Sequence, residues 1–294
     1  MAAVPLLVIV GETASGKSAL AFELAKKFNG EIICADSWTV YKHFDIGTAK
    51  PSTVEQATVP HHLLNVAEAI EGFNAVIFQE LAFAAIQAIG ARGKLPILVG
   101  GTGLYIDSVI YEYEFLAAPP VGMREELNKM TLDELLEKAA AEGLSVQGID
   151  TRNKRRVIRL IENEGRLPAR KPLRETTLIL GMSLPKDELR ARVERRVDAM
   201  IAAGLEDEVR QLATEYGWDA EPMKGIGYWQ WKGYFQGTQT LAETRARIIK
   251  GTTDLAKRQR TWFKRNESIQ WLATEDKLAE AVDSLTTFLN KHSI

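Results

Sequence analysis

The sequence predicts an α/β fold of the P-loop NTPase-like kind: a parallel sheet flanked by helices, interrupted by an inserted all-helical segment. Three observations predict it. The apolar run Leu6-Leu7-Val8-Ile9-Val10 leads into Gly11-Glu12-Thr13-Ala14-Ser15-Gly16-Lys17-Ser18 and then into a helix-forming stretch over residues 19–28. That order of strand, G-x-x-x-x-G-K-S and helix is the full context of a phosphate-binding loop. Further apolar runs at 31–35 and 95–99 flank a segment of helical period at 73–89, the alternation expected of parallel strands joined by helices. From Pro119-Pro120 to about Glu175 the chain is polar and helical, and an apolar strand then resumes at 177–183. The expected organisation is a P-loop α/β core of residues 1–118 and 176–294, with 119–175 as a helical insertion.

The first element sets the chemistry. Gly11 and Gly16 let the backbone wrap closely, so that the N–H groups of Thr13, Ala14 and Ser15 point inward at phosphate oxygens. The helix that follows adds the positive end of its dipole. Lys17 supplies a point charge, and the Ser18 hydroxyl can ligate Mg²⁺. Such a loop takes a polyphosphate or a diphosphate. It leaves open whether a P–O or a C–O bond is broken.

The strand at 31–35 ends in Asp36-Ser37. Ligands of open parallel sheets bind outside the carboxyl ends of the strands, so Asp36 is expected beside the P-loop; the bland reading is a loop cap. Residues 41–51 form a polar loop of the sort that carries function. The adjacent pair His61-His62 cannot easily share one metal ion, and no metal is expected there. The strand at 95–99 delivers Gly100-Gly101-Thr102-Gly103 to the same edge. Hydrolytic P-loop proteins commonly use an Asp at this place to hold the Mg²⁺ shell. Two glycines and a threonine instead argue against nucleotide hydrolysis.

Within the insertion, helices are expected at 123–130, 132–141 and 152–164. The last sets Arg152, Arg155, Arg156 and Arg159 on one face, opposite Val157, Ile158, Leu160 and Ile161. A solvated face is the plain reading; neutralisation by a polyanion is favoured because no acid intervenes before Glu162. A helix then runs from Pro185 to about 202, with Arg192 and Arg196 one turn apart and Asp187 and Glu188 as alternative ion-pair partners. Residues 224–231 mix glycines with aromatics, either as core or as a wall on which a base or prenyl group stacks. Residues 255–263 repeat the mixture of basic and aromatic side chains, and a strand at 270–272 and a closing helix at 279–289 complete the chain.

With 46% apolar and 26% charged residues, the composition is that of a soluble globular protein. The single cysteine, Cys34, reads as a buried strand residue in a reducing compartment. The first residues lack the basic start of a signal peptide, and no run of about twenty apolar residues could span a bilayer. The expectation is a cytoplasmic protein without membrane contact. Net charge is −2, yet residues 152–174 carry +7 and residues 250–265 carry +5, leaving −14 elsewhere. Two concentrated basic segments on a near-neutral chain form a polyanion footprint.

Six strings in order carry a resemblance. They are Gly11-x-Thr13-Ala14-Ser15-Gly16-Lys17-Ser18, Asp36-Ser37-x-x-Val40-Tyr41, Asp45-Ile46-Gly47-Thr48-Ala49-Lys50-Pro51, Pro60-His61-His62-Leu63, Val99-Gly100-Gly101-Thr102-Gly103-Leu104-Tyr105 and Ala256-Lys257-Arg258-Gln259-x-Thr261-Trp262-Phe263. Over nearly its whole length the chain resembles the bacterial tRNA dimethylallyltransferases. The resemblance implies transfer of dimethylallyl from its diphosphate to N6 of the adenosine at tRNA position 37, with Mg²⁺. It implies Asp36 as proton acceptor, Thr102 in a channel touching the bridging diphosphate oxygen and the target nucleotide, and Arg196 on the diphosphate. It also implies tRNA contacts at Asp36, Ser37, Trp38, Thr39, Thr102, Arg124, Arg155, Arg156, Val157, Ile158, Arg159, Lys257, Arg258 and Gln259. No obligate protein partner is implied, and a monomer suffices. The alternatives are a small-molecule P-loop kinase, prenylation of free AMP or ADP, and a non-enzymatic RNA-binding protein; the basic insertion disfavours the first two.

Overall fold

The computed structural model describes residues 4–117 and 119–292. Along the chain, β1 (Leu6–Gly11), α1 (Lys17–Lys27), β2 (Gly30–Ala35), α2 (Thr53–Thr58) and β3 (His61–His62) precede α3 (Ala75–Ala91), β4 (Leu95–Gly100) and α4 (Gly103–Ile110). Next come α5 (Met123–Lys129), α6 (Leu132–Ala141), α7 (Lys154–Glu162), β5 (Thr177–Met182), α8 (Lys186–Ala202) and α9 (Leu205–Tyr216). A short α10 (Lys232–Phe235), α11 (Leu241–Phe263), β6 (Gln270–Trp271) and α12 (Lys277–Lys291) complete the order.

All strand pairs are parallel, in the order β3-β2-β4-β1-β5-β6. Every residue of β1 and β4 is buried, which is why these strands read as continuous apolar runs rather than alternating ones. On one face Leu7, Ile9 and Ile97 pack against Leu20 and Leu24 of α1 and Leu285 of α12. The register then decides where the loops fall. Val10 and Ala35 both pair with Gly100, and Gly11 pairs with Met182. Four strands therefore end level, and the segments after them meet at one edge of the sheet.

The chain divides into two compact units, one ending at Ile110 and resuming at Leu173, the other spanning Tyr111–Pro172. The composition of the sequence places the insertion at 119–175 instead. Residues 111–117 fall in the smaller unit because Glu114 bridges Ala169 antiparallel and Lys171 pairs with Glu112 (3.1 Å). In this unit α5, α6 and α7 surround Leu127, Leu135, Leu160 and Ile161. Its second helix opens on a capping box between Thr131 and Glu134, which satisfies N–H groups that a helix start otherwise leaves bare.

Candidate active site

The phosphate-binding loop folds as its glycines require. Gly16, the residue before α1, sits at φ 96°, a left-handed conformation that costs glycine nothing. At Gly11 a side chain would stand 2.3 Å from the Met182 carbonyl oxygen, so β1 and β5 can turn away together only with glycine there. Ser15 Oγ is buried with no protein partner, the condition of a hydroxyl that a bound oxyanion would satisfy. Lys17 Nζ donates to the Glu12 carbonyl (3.2 Å).

Asp36 follows β2 directly. Its Oδ1 accepts the backbone N–H groups of Trp38 (2.8 Å) and Thr39 (3.3 Å), so the carboxylate is oriented by its own turn as an Asx motif. The cap is therefore present, and it leaves the carboxylate fixed in orientation at the end of β2. Thr102, at the end of β4, accepts the Ser37 N–H (3.1 Å) through Oγ1 while its own N–H donates to the Ala35 carbonyl (3.3 Å). Ser37 and Thr102 are in this way tied across the ends of β2 and β4. The Thr39 hydroxyl is buried without a protein partner, and Trp38 donates its indole N–H to Pro222 O (2.9 Å).

Charges converge on this edge. Burial first, and then the Arg196 charge, bring the Lys17 ammonium down to about 8, against the opposing pull of Asp36 and Glu12. Burial also lowers Arg196, with Asp36 working in the other direction. The Lys17 and Arg196 cations and the Asp36 carboxylate are therefore within electrostatic reach of one another. Two poorly solvated cations beside each other are a standing invitation to an anion. Arg192 instead pairs with Glu188 (2.9 Å). Cys34, half-buried on β2, has its thiol pushed up to about 12 by burial and then by Asp36.

Helix α11 closes the site from behind. Gln259 accepts the Thr13 N–H (2.7 Å) and donates to Gly101 O (3.1 Å), bridging the P-loop to the end of β4. A Cβ on Gly101 would lie 2.2 Å from the Gln259 amide. The next residue, Arg260, grips the buried Glu12 with both arms and donates to Leu184 O (2.6 Å). Trp262 donates to Asp107 (3.0 Å). Neither Glu12 nor Arg260 stands out in the sequence. The available signal is helical phase: 256, 259, 260 and 263 share one face, and Ala256, Gln259 and Phe263 are buried.

The loop at 41–51 is held rather than free. Glu208 accepts the N–H groups of Asp45 (3.1 Å), Ile46 (2.7 Å) and Gly47 (3.0 Å), and the Tyr228 hydroxyl (2.8 Å). Lys50 reaches Asp45 (2.8 Å) and Asn65 (2.6 Å). His61 Nδ1 lies 2.7 Å from Val59 O, and His62 Nε2 lies 2.6 Å from Glu31.

The arginine helix departs from its expected form. It begins at Lys154, after Asn153, so Arg152 lies outside it and pairs with Asp150 (3.3 Å). Glu162 is buried and takes a bidentate bond from Arg124 (Nε–Oε1 2.6 Å), with Arg159 at 3.6 Å. Val157 and Ile158 are 0% and 2% exposed. Their side chains belong to the core of the helical unit, because a helix that turns its arginines outward must turn its apolar residues in; side-chain contact with RNA is closed to both. Arg155 and Arg156 are exposed, as are Lys257 and Arg258 of α11.

Among the described residues no group of three His, Cys, Asp or Glu side chains could hold a metal ion. Mg²⁺ needs no such cage, because it keeps waters and is bound through one or two protein groups plus substrate phosphates. The exposed Ser18 hydroxyl at the start of α1 and the half-buried Asp36 are donors of the kind it takes.

A cradle for phosphate, cations short of water and an oriented carboxylate together define a P-loop α/β protein that holds a phosphorylated donor beside a second reactant. The chain belongs to the IPP transferase family, whose model matches residues 39–266. It is 40% identical over 287 residues to the tRNA dimethylallyltransferase of Anoxybacillus flavithermus, covering 94% of this chain and 92% of that one. It is 42% identical to the tRNA dimethylallyltransferase of Roseiflexus castenholzii, covering 92% and 94%. The crystal structure of the full-length tRNA isopentenylpyrophosphate transferase from Bacillus halodurans superposes with TM-score 0.77 at 34% identity, covering 99% and 98%. A eukaryotic dimethylallyltransferase captured acting on tRNA gives TM-score 0.78 at 25% identity, covering 99% of this chain and 78% of that one.

Proposed function

We propose that the protein is a tRNA dimethylallyltransferase, moving the dimethylallyl group from dimethylallyl diphosphate to N6 of the adenosine at tRNA position 37 and releasing diphosphate. The observation that carries this reading is the meeting of Asp36, Lys17 and Arg196 at the carboxyl edge of the sheet, within reach of each other's charge. The P-loop holds the diphosphate, which satisfies the Ser15 hydroxyl, the Thr13 and Ser15 N–H groups being taken by Gln259 and the Glu12 carbonyl. Lys17 and Arg196 offset the charge that grows on it as the C–O bond breaks. Asp36 accepts the proton that the N6 amine loses as its lone pair forms the new N–C bond, a role worth roughly 10²–10⁴-fold. Thr102 lines the path between the two reactants. Mg²⁺, held by Ser18 and the diphosphate, would neutralise the leaving group further.

The adenine must leave its stack to reach this edge, at a cost of a few kcal/mol; a partly unstacked anticodon loop lowers it. In this reading Arg124, Arg155, Arg156 and Arg159 of the helical unit and, in the core unit, Lys257 and Arg258 of α11 each supply charge to the tRNA. Ser37, Trp38 and Gln259 contribute through the turn that frames Asp36 and the P-loop. The enzyme works as a monomer in the cytoplasm, where its RNA substrate is found; no helix of the described residues is long and apolar enough to cross a membrane. Incubation of unmodified tRNA with radiolabelled dimethylallyl diphosphate, followed by nucleoside analysis, tests the proposal. Label in N6-dimethylallyladenosine supports it, and label confined to the donor overturns it.

A further inference from the structure

The aromatic stretch at 224–231 divides in the structure. Tyr228 and Trp231 are fully buried, whereas Trp229 between them is 43% exposed. Trp229 forms one wall of a cavity of about 420 Å³ whose other walls include Lys232, Gln236, Arg247, Lys250 and Asp254. That volume lies in the range of small-ligand sites, roughly 300–1,000 Å³. Three cations face one carboxylate there, and Lys250 spends part of its charge on Asp254 at 2.8 Å. Lys232 Nζ stands 4.7 Å from the centre of the Trp229 ring, so one face of the indole is turned to a cation. Flat aromatic surface beside paired cations matches the two halves of a nucleotide, base and phosphate.

The cavity and the candidate active site share helix α11. Arg247, Lys250, Lys257 and Arg258 are all exposed and recur at helical spacing, while Gln259 and Arg260 of the same helix turn inward to the P-loop. From Arg247 to Arg258 the helix rises about 16 Å. Cations thus recur along this face of α11 between the candidate active site and the Trp229 cavity, interrupted by Asp254, which pairs with Lys250.

We propose that this cavity is a second RNA subsite, in which one nucleotide of the substrate tRNA outside the reacting adenosine stacks its base on Trp229 and sets its phosphate against Arg247 and Lys250. Lys232 leaves the indole as the base arrives and joins the phosphate. The inference rests on tRNA being the substrate. A single-stranded loop supplies the unstacked base such a subsite needs.

The test measures binding of unmodified tRNA across a range of salt concentrations, and the KM values for tRNA and for dimethylallyl diphosphate. Trp229→Ala raises the dissociation constant and the KM for tRNA by about tenfold, as expected for one unstacked base, with the salt slope and the donor KM unmoved. Trp229→Phe restores most of the affinity, which a packing role for the indole would not do. The double change Arg247→Gln, Lys250→Gln flattens the log–log salt dependence by about 1.4–1.8, the worth of two neutralised phosphates. Wild-type affinity and slope in all three variants overturn the inference, as does saturable AMP binding that Trp229→Ala abolishes without effect on tRNA. If the wild-type protein fails to prenylate tRNA, the reading of the activity has failed instead, and the two outcomes are distinct.

Discussion

The two edges of the sheet both gather charge and treat it in opposite ways. At the amino edge Glu31 is 4% exposed at its side chain and is met by His62 (2.6 Å), Arg92 (2.6 Å) and Lys94 (2.9 Å). Burial alone would raise its carboxyl; the hydrogen bonds from Lys94, His62 and Arg92 outweigh burial and bring it down to about 2. At the carboxyl edge Lys17 is brought down to about 8 and Arg196 is lowered, both chiefly by burial, and the hydroxyls of Ser15 and Thr39 lack protein partners. One edge is satisfied and the other is not. A fold tolerates unsatisfied polar groups where a ligand will complete them, so the contrast marks the carboxyl edge as the candidate site and the Glu31 cluster as a structural one.

The sharpest way to break the contrast is to exchange the consequences of mutation. Glu31→Gln is expected to lower stability by about 3 kcal/mol, the worth of so deep a depression of a carboxyl pKa, with dimethylallyl transfer unaffected; chemical denaturation and turnover measurements check both. Lys17→Met is expected to do the reverse, raising stability because an incompletely solvated charge is removed, while donor binding is abolished. Equal damage to activity and fold from both changes would erase the distinction.

The pH profiles follow with opposite signs. For Glu31, whose folded pKa lies below the 4.5 of the free side chain, stability is present above about 4.5 and is lost as the pH falls toward 2. For Lys17, lowered to about 8, the ligand-free protein sheds the proton above that pH. The KM for dimethylallyl diphosphate is therefore expected to climb there, approaching tenfold per pH unit, and a flat profile to pH 9 would remove Lys17 from the diphosphate site. The smallest effect concerns the helical unit. Replacing Arg155, Arg156 and Arg159 together is expected to flatten the salt dependence of tRNA binding by about 0.7–0.9 for each phosphate they neutralise; an unchanged slope returns α7 to a solvated face.

Much of the functional edge is legible in the sequence because it is built from strand ends. An apolar run that stops at Asp36-Ser37 or at Gly100-Gly101-Thr102 announces both a strand and what it delivers, and a parallel sheet brings such ends together. What escapes the sequence lies far apart along the chain or depends on helical phase. The Glu12–Arg260 pair spans 248 positions, and the anchoring of Asp45–Gly47 on Glu208 depends on α9, a helix that no motif marks. The basic charge at 152–174 is plain from the sequence, yet it cannot tell that Glu162 turns inward to hold Arg124 and Arg159. The length of α11 is likewise hidden, although Thr240 and Glu243 form a capping box; that signal is local to the first turn and carries no information on how far the helix runs.

Asp36→Asn offers the most direct test of the central claim, that a carboxylate beside a diphosphate cradle readies an RNA amine for attack on carbon. Single-turnover transfer with saturating tRNA and donor is expected to slow by about 10²–10⁴-fold, with tRNA affinity held within a few-fold. A wild-type single-turnover rate accompanied by abolished tRNA binding would contradict it, leaving Asp36 as an RNA-binding group and the proton without an acceptor.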